Sequence, residues 1–252
     1  MSGYKYLLLK DFRQSKTNFM LSFVVLLILQ FGCFLLAHGV DPGLATVLSI
    51  FVTYLSAFIL PILYIQSLQS EWKFHSVYYW INSSHAGYPV LLSKLIVAVL
   101  QTVLIMAISS ATTLGIYAYE AYVIGRMDNI SKSLKMLIVE TYRLDAILLL
   151  YAIIISLGFG CLFLANKAVR YGAVPSILFL AAVLVVNIAS ILGRWFEWMS
   201  FRLPLGISLV NDSLRAEYTT YSLGGLLFLL VIAYTLLAVS SWLLKRKVQV
   251  FK

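Results

Sequence analysis

Six long apolar stretches leave this chain few ways to fold. Phe19 to Ala37, Leu44 to Leu68, Val90 to Tyr117, Ala146 to Ala165, Val174 to Leu192 and Leu223 to Leu244 each reach or approach the ~20 residues a helix needs to cross the hydrocarbon core of a bilayer. Hydrophobic residues make up 62% of the sequence and charged residues 12%, whereas soluble domains run near half apolar and a quarter charged. Such a chain has more apolar surface than a soluble core could cover, so lipid is its expected solvent. The expectation is an all-α membrane protein, a single transmembrane domain over residues 1–252 with six transmembrane helices. No small-residue cleavage site follows the first stretch, because Leu36-Ala37-His38-Gly39 leads straight into Asp41-Pro42; retention, and not removal as a signal peptide, is expected.

Six spans put both termini on one side. That side collects twelve Lys and Arg residues against two acids, Asp11 and Glu71, while the other carries seven against eight. The excess of cations marks the cytoplasmic face, so the expected location is the cell membrane, multi-pass, with both termini cytoplasmic. The net charge of +9 is spread along one membrane face and not gathered on one element. Topology accounts for it without a nucleic-acid partner. Cys33 and Cys161 fall inside spans as small hydrophobes.

Several local features refine this layout. Over residues 4–18, Tyr4, Leu7, Leu8 and Phe12 share a helical face while Lys5, Lys10, Arg13 and Lys16 lie opposite, which predicts an amphipathic helix in the interface, cations toward lipid headgroups. Asp11 falls on the apolar side, and a neighbouring Lys or Arg is its expected partner, with a partner subunit as the alternative. Gln30 in the first span should point at another helix. Pro61 should kink the second span. Ser109, Ser110, Thr112 and Thr113 cluster in the third, where small hydroxyl residues let helices approach closely or line a polar path, with packing the expected role. Residues 119–144 form an external segment with Ile130, Leu134, Leu137 and Ile138 at helical spacing. A second external segment, 193–221, mixes tryptophan with charge and then turns apolar.

No nucleotide-binding loop, zinc-protease helix, nucleophile elbow or carboxylate cluster is present, so no catalytic residue is assigned. Glu71, His75 and His85 could be drawn together around a metal, but scattered candidates of this kind are ordinarily solvated side chains. The spans hold almost no ionisable residues, whereas ion-coupled transporters keep such groups as relays. Energy for any transport is therefore expected from outside the chain. The polar segment 70–88 between the second and third spans is richer than a connector needs, carrying Trp72, Phe74, Tyr78, Tyr79, Trp80 and Tyr88 among Glu71, Lys73 and His75. Amphipathic aromatics among a few charges are typical anchors of a protein interface, with aromatics lying under the lipid headgroups as the alternative.

The pattern Glu71-x-Lys73-x-x-Ser76, then Trp80-Ile81, then Val90-Leu91-Leu92-x-Lys94 resembles the ABC-2-type permeases, the membrane subunits of bacterial ABC exporters. In that family an acid, a base two residues later and a hydroxyl residue open a coupling helix between spans two and three, and a Lys opens span three. The six-span layout and the basic N-terminal helix are also similar to it. Where the family has Pro, Ser and a basic residue, this chain has Asn82-Ser83-Ser84-His85-Ala86-Gly87, with Pro89 later. The resemblance implies ATPase-coupling roles for Glu71, Trp72, Lys73, Ser76, Tyr79 and Trp80, and a lateral-lever role for the helix bearing Lys5, Asp11, Arg13 and Lys16. It further implies a separate ATP-binding subunit, which would hold ATP and Mg, and a second permease copy or relative. No cofactor is expected in this chain. Peptide antibiotics are among the substrates of short permeases of this kind. An ion-coupled secondary transporter or channel, and a non-transporting membrane scaffold, are the alternatives.

Overall fold

The computed structural model describes residues 2–39, 44–73, 87–123, 130–168, 200–210 and 213–246. These form α1 (Ser2–Gly39), α2 (Leu44–Ser56), α3 (Ile59–Lys73), α4 (Tyr88–Val123), α5 (Ile130–Ala168), β1 (Ser200–Val210), β2 (Ser213–Ser222) and α6 (Leu223–Arg246). Four helical stretches are long and apolar enough to cross a membrane: Tyr4–His38, Leu44–Lys73, Tyr88–Val123 and Leu148–Lys167. A shorter apolar stretch, Leu230–Leu244, lies in α6. The expected span at Val174 to Leu192 lies outside the described residues, as do Phe74 to Ala86 of the expected coupling element.

The N-terminal segment does not form a separate interfacial helix. Residues 4–18 are the first half of α1, a single helix of 38 residues that is ~57 Å long at 1.5 Å per residue. Neither Gly nor Pro occurs between Tyr4 and Phe31, so nothing in the backbone ends the helix at the membrane boundary. The buried positions of α1 are Asp11, Ser15, Leu26, Gln30, Cys33 and Ala37, at intervals of three, four or eleven. All are near-multiples of the helical period, so one face stays in contact with the bundle from end to end.

The second span breaks where the sequence predicts. Pro61 cannot donate to Ala57 O, and that carbonyl instead accepts from Leu60 N at 3.2 Å in a tighter turn. Ala57 and Phe58 form the turn between α2 and α3. The third span is uninterrupted from Tyr88. Gly87 precedes it with φ of 95°, a conformation side chains resist, and Pro89 suits the first turn, where a missing N–H costs nothing. The external helix expected over residues 119–144 is not separate either, because α5 runs unbroken from Ile130 through the fourth span.

The main core joins Leu60, Leu63, Tyr64 and Leu68 of α3 to Val90, Leu91, Leu95 and Ala98 of α4, Ala152, Leu157 and Leu164 of α5, and Leu237, Leu243 and Leu244 of α6. A smaller cluster of Cys33, Ala37, Ala45 and Ile116 closes the opposite end.

One part of the chain departs from the all-α expectation. Residues 200–210 and 213–222, all but Ser222 within the expected external segment 193–221, pair as antiparallel strands from Ser200↔Ser222 to Val210↔Ser213. Two residues, Asn211 and Asp212, remain between the last pair, and these types suit tight hairpin loops. The register shifts between Leu203 and Gly206, where Pro204 has no N–H to give the ladder and an irregularity accommodates it.

Candidate functional site

At the end of the bundle that holds the start of α1, the end of α3 and the start of α4, a buried ionic cluster joins all three helices. Lys94 is its centre. Its Nζ donates to Asp11 Oδ1 at 2.9 Å, to Glu71 Oε1 at 2.8 Å and to Ser67 Oγ at 3.4 Å. An ammonium has three protons, and each has an acceptor. Asp11 Oδ2 accepts from Ser93 Oγ at 2.5 Å, and Lys10 Nζ lies 3.0 Å from Glu71 Oε1. Asp11, Glu71, Lys94 and Ser93 are all buried; among the described residues the cluster holds two acids, Asp11 and Glu71, and two bases, Lys10 and Lys94.

Local sequence sets these depths. The start of α4 at Gly87-Tyr88-Pro89 brings Lys94 into the second turn, while Glu71 stands in the last turn of α3. Each charge is at the unfavourable end of its helix dipole: an acid near a C-terminus, a base near an N-terminus. Direct pairing across the α3–α4 gap offsets this. Replacing one member of such a buried pair typically costs about 3–5 kcal/mol, since the other is left uncompensated.

The cluster continues as a polar seam. Gln14 Nε2 donates to Ser70 Oγ at 2.8 Å, and Gln101 Nε2 to Ser15 Oγ at 2.7 Å. Higher in the bundle, Gln30 Nε2 donates to Ser109 Oγ at 2.8 Å, and Ser49 Oγ donates to Gln30 Oε1 at 2.6 Å. Thr53 and Thr113 hydroxyls complete this buried group, so Gln30 does point at other helices, and Ser109 and Thr113 of α4 meet α1 and α2 there. At the far end His38 Nδ1 and Tyr119 Oη are 2.7 Å apart. Besides the Ser93–Asp11 bond, four contacts spaced along the pair therefore tie α1 to α4, at sequence separations of 83, 86, 79 and 81.

No family model, curated protein or solved structure matches the chain. The site is therefore interpreted from its own chemistry.

Of the residues singled out by sequence, Glu71 is enclosed in the cluster, although it was expected at an ATPase contact. Trp72 is half-buried and packs edge-on against Phe163 of α5, ring centroids 5.2 Å apart. Lys73 is exposed, as are Lys5, Arg13 and Lys16. Ser76, Tyr79 and Trp80 lie outside the described residues. Asp11 has its partner on α4 and not, as expected, on a neighbouring turn. Among the described residues no three His, Cys, Asp or Glu side chains gather as a metal site; His75 and His85 lie outside that set.

Sequence reasoning missed the central role of Lys94 and the burial of Glu120. The Glu120 side chain is 3% exposed, with Thr46 donating to Oε2 and no hydrogen-bond partner on Oε1. Asp145, just outside the fourth span, accepts from Ser110 Oγ at 2.8 Å. Burial raises its carboxyl above the ordinary value, and the Ser110 hydrogen bond opposes that shift.

Proposed function

We propose that this chain is the permease subunit of an ATP-driven ABC exporter, inserted in the cell membrane with both termini cytoplasmic. The observation that carries the reading is the buried Lys94–Asp11–Glu71 cluster. It ties the N-terminal helix to the base of the 70–88 segment and to the start of the third span. A partner that pushes on the 70–88 segment would thereby move three helices together, as a coupling device requires. The positive-inside bias and the Glu71-x-Lys73-x-x-Ser76 pattern support the same reading.

In this reading two permease copies, or this chain and a relative, line the substrate path. Separate ATP-binding subunits hold ATP and Mg and supply the energy. Lys73, Ser76, Tyr79 and Trp80 face the ATPase; Trp72 passes its displacement to α5 through Phe163. Glu71 acts inside the chain, joining the coupling segment to Lys94. The path suits a peptide or another hydrophobic substrate, moved outward.

The test is gentle solubilisation from the native membrane, identification of bound soluble protein and an ATP hydrolysis assay on the complex. A stoichiometric P-loop ATPase, lost or uncoupled on Lys73→Ala or Tyr79→Ala, is the expected result. A chain that purifies alone without nucleotide turnover overturns it.

One observation favours an ion-coupled transporter instead. The buried Glu120 carboxylate, with no hydrogen-bond partner on Oε1, is the kind of polar group that ion and proton pathways use. Proteoliposome flux that follows a sodium or pH gradient and is abolished by Glu120→Gln would select this second reading.

A further inference from the structure

The base of α1 presents an outward surface that the permease reading does not use. At 100° per residue, Lys5, Tyr6, Leu9, Phe12, Arg13 and Lys16 occupy one arc about 120° wide, opposite the buried Asp11, so Phe12 stands among the cations and not, as expected, on the face opposite them. Lys5, Arg13 and Lys16 are exposed, and Tyr6, Leu9 and Phe12 are 73%, 47% and 51% exposed. The arc is thus cationic and apolar at once, a combination ill-suited to water alone and suited to the boundary between headgroups and acyl chains.

Two further observations identify the occupant. The first is continuity. The same side of the helix runs on through Met20, Val24, Ile28, Phe31 and Leu35, all exposed, which is the surface that lipid tails must cover in a spanning helix. Lys16 stands one helical turn before Met20, ~6 Å along the axis, within the ~5–8 Å headgroup layer of each leaflet. The second is charge. Asp11 is the only acid in residues 2–20, and it is withdrawn from the surface and neutralised by Lys94. Nothing on this segment opposes the three cations of the arc.

We infer that the outward arc of the α1 base binds anionic phospholipid headgroups. Arg13 and Lys16, three residues apart on one face, hold the phosphate, with Lys5 adding field from further out. Phe12 and Leu9 stand beside these cations, about 6 and 10 Å further from Met20 along the axis than Lys16. The inference needs membrane insertion but not ATP coupling, so either reading can fail without the other.

The test compares the purified chain in nanodiscs of phosphatidylcholine with nanodiscs of phosphatidylcholine and phosphatidylglycerol at 3:1, reading the thermal midpoint and, by native mass spectrometry, the lipids retained. The expected result is a higher midpoint and several-fold preferential retention of phosphatidylglycerol. Both should be lost in Lys5→Gln/Arg13→Gln/Lys16→Gln and weakened by raising salt to about 1 M, where the Debye length shrinks to ~3 Å. A triple variant with equal charge loss elsewhere, Arg194→Gln/Arg202→Gln/Arg215→Gln, should keep the preference. No preference in the unaltered chain, or equal loss in both triples, overturns the inference. So does an α1 triple that releases a soluble partner while phosphatidylglycerol retention is unchanged, because the arc would then be a protein contact.

Discussion

Lys94 Nζ lies 2.9 Å from Asp11 Oδ1 across 83 residues of sequence, and both side chains are sealed from solvent. The pair binds the first helix of the chain to the first turns of α4, and Glu71 extends it to α3. Removing the ammonium takes the buried cation from both carboxylates, while the partly exposed Lys10 stays beside Glu71 and the Ser93 hydroxyl beside Asp11. Lys94→Met is expected to cost about 3–5 kcal/mol, read as a lower thermal midpoint in detergent. In a double-mutant cycle, Asp11→Asn/Lys94→Met should cost clearly less than the sum of its single changes. Additivity would show that the two side chains are not energetically coupled.

The Gln30 group should respond differently, because it contains no charge. Gln30→Leu removes a partner from Ser49 and Ser109 at once and leaves buried hydroxyls to re-pair among themselves. A loss of about 1 kcal/mol is expected, the scale of interhelical hydrogen bonds in membranes, with Thr53 and Thr113 taking over part of the bonding. A loss as large as that of Lys94→Met would mean the hydroxyls find no new partners.

Glycine substitutions separate packing from backbone effects. A Cβ at Gly160 would stand 2.5 Å from Tyr64 Cε1, and Tyr64 is held in the core. Gly160→Ala should therefore destabilise the α3–α5 contact by about 1–3 kcal/mol, and Tyr64→Leu should recover part of that. At Gly115 a Cβ meets nothing within 4 Å, so Gly115→Ala should stabilise by about 0.5–1 kcal/mol. Equal responses at the two sites would refute the steric account.

Asp145 predicts a pH dependence. Its carboxyl is raised by burial, so the folded state favours the protonated form more than the unfolded state does. The stability this contributes is full below the ordinary carboxylate value and declines as pH rises through the raised one. Asp145→Asn should flatten that decline in thermal midpoints between acid and neutral pH. An unchanged slope would assign it to other carboxyl groups.

Gln30, Pro61 and the hydroxyl residues of α4 were legible in the sequence because each carries its reason locally. A buried amide must find a partner, and a proline must break a backbone bond. Asp11 was legible as an anomaly on an apolar face but not as a partner of Lys94, since that pairing depends on how two helices far apart in sequence stand beside each other. The unbroken α1 follows from the absence of Gly and Pro between Gly3 and Gly32, a signal outweighed by the switch from charged to apolar composition near Phe19. The hairpin at 200–222 was obscured by its mixture of Pro, Gly and apolar residues, and only the Asn211-Asp212 step and its flanking Val210 hinted at paired strands.

The four contacts between α1 and α4 have nearly constant sequence separation, so the two helices run parallel with a fixed register. Sliding one past the other by a single turn would break an ion pair, two amide–hydroxyl bonds and the His38–Tyr119 contact together, and would set an unpaired acid against apolar side chains. Shear along this seam is therefore closed to the molecule. A displacement of α1 that keeps these contacts would carry α4 with it, so the pair behaves as one rigid blade.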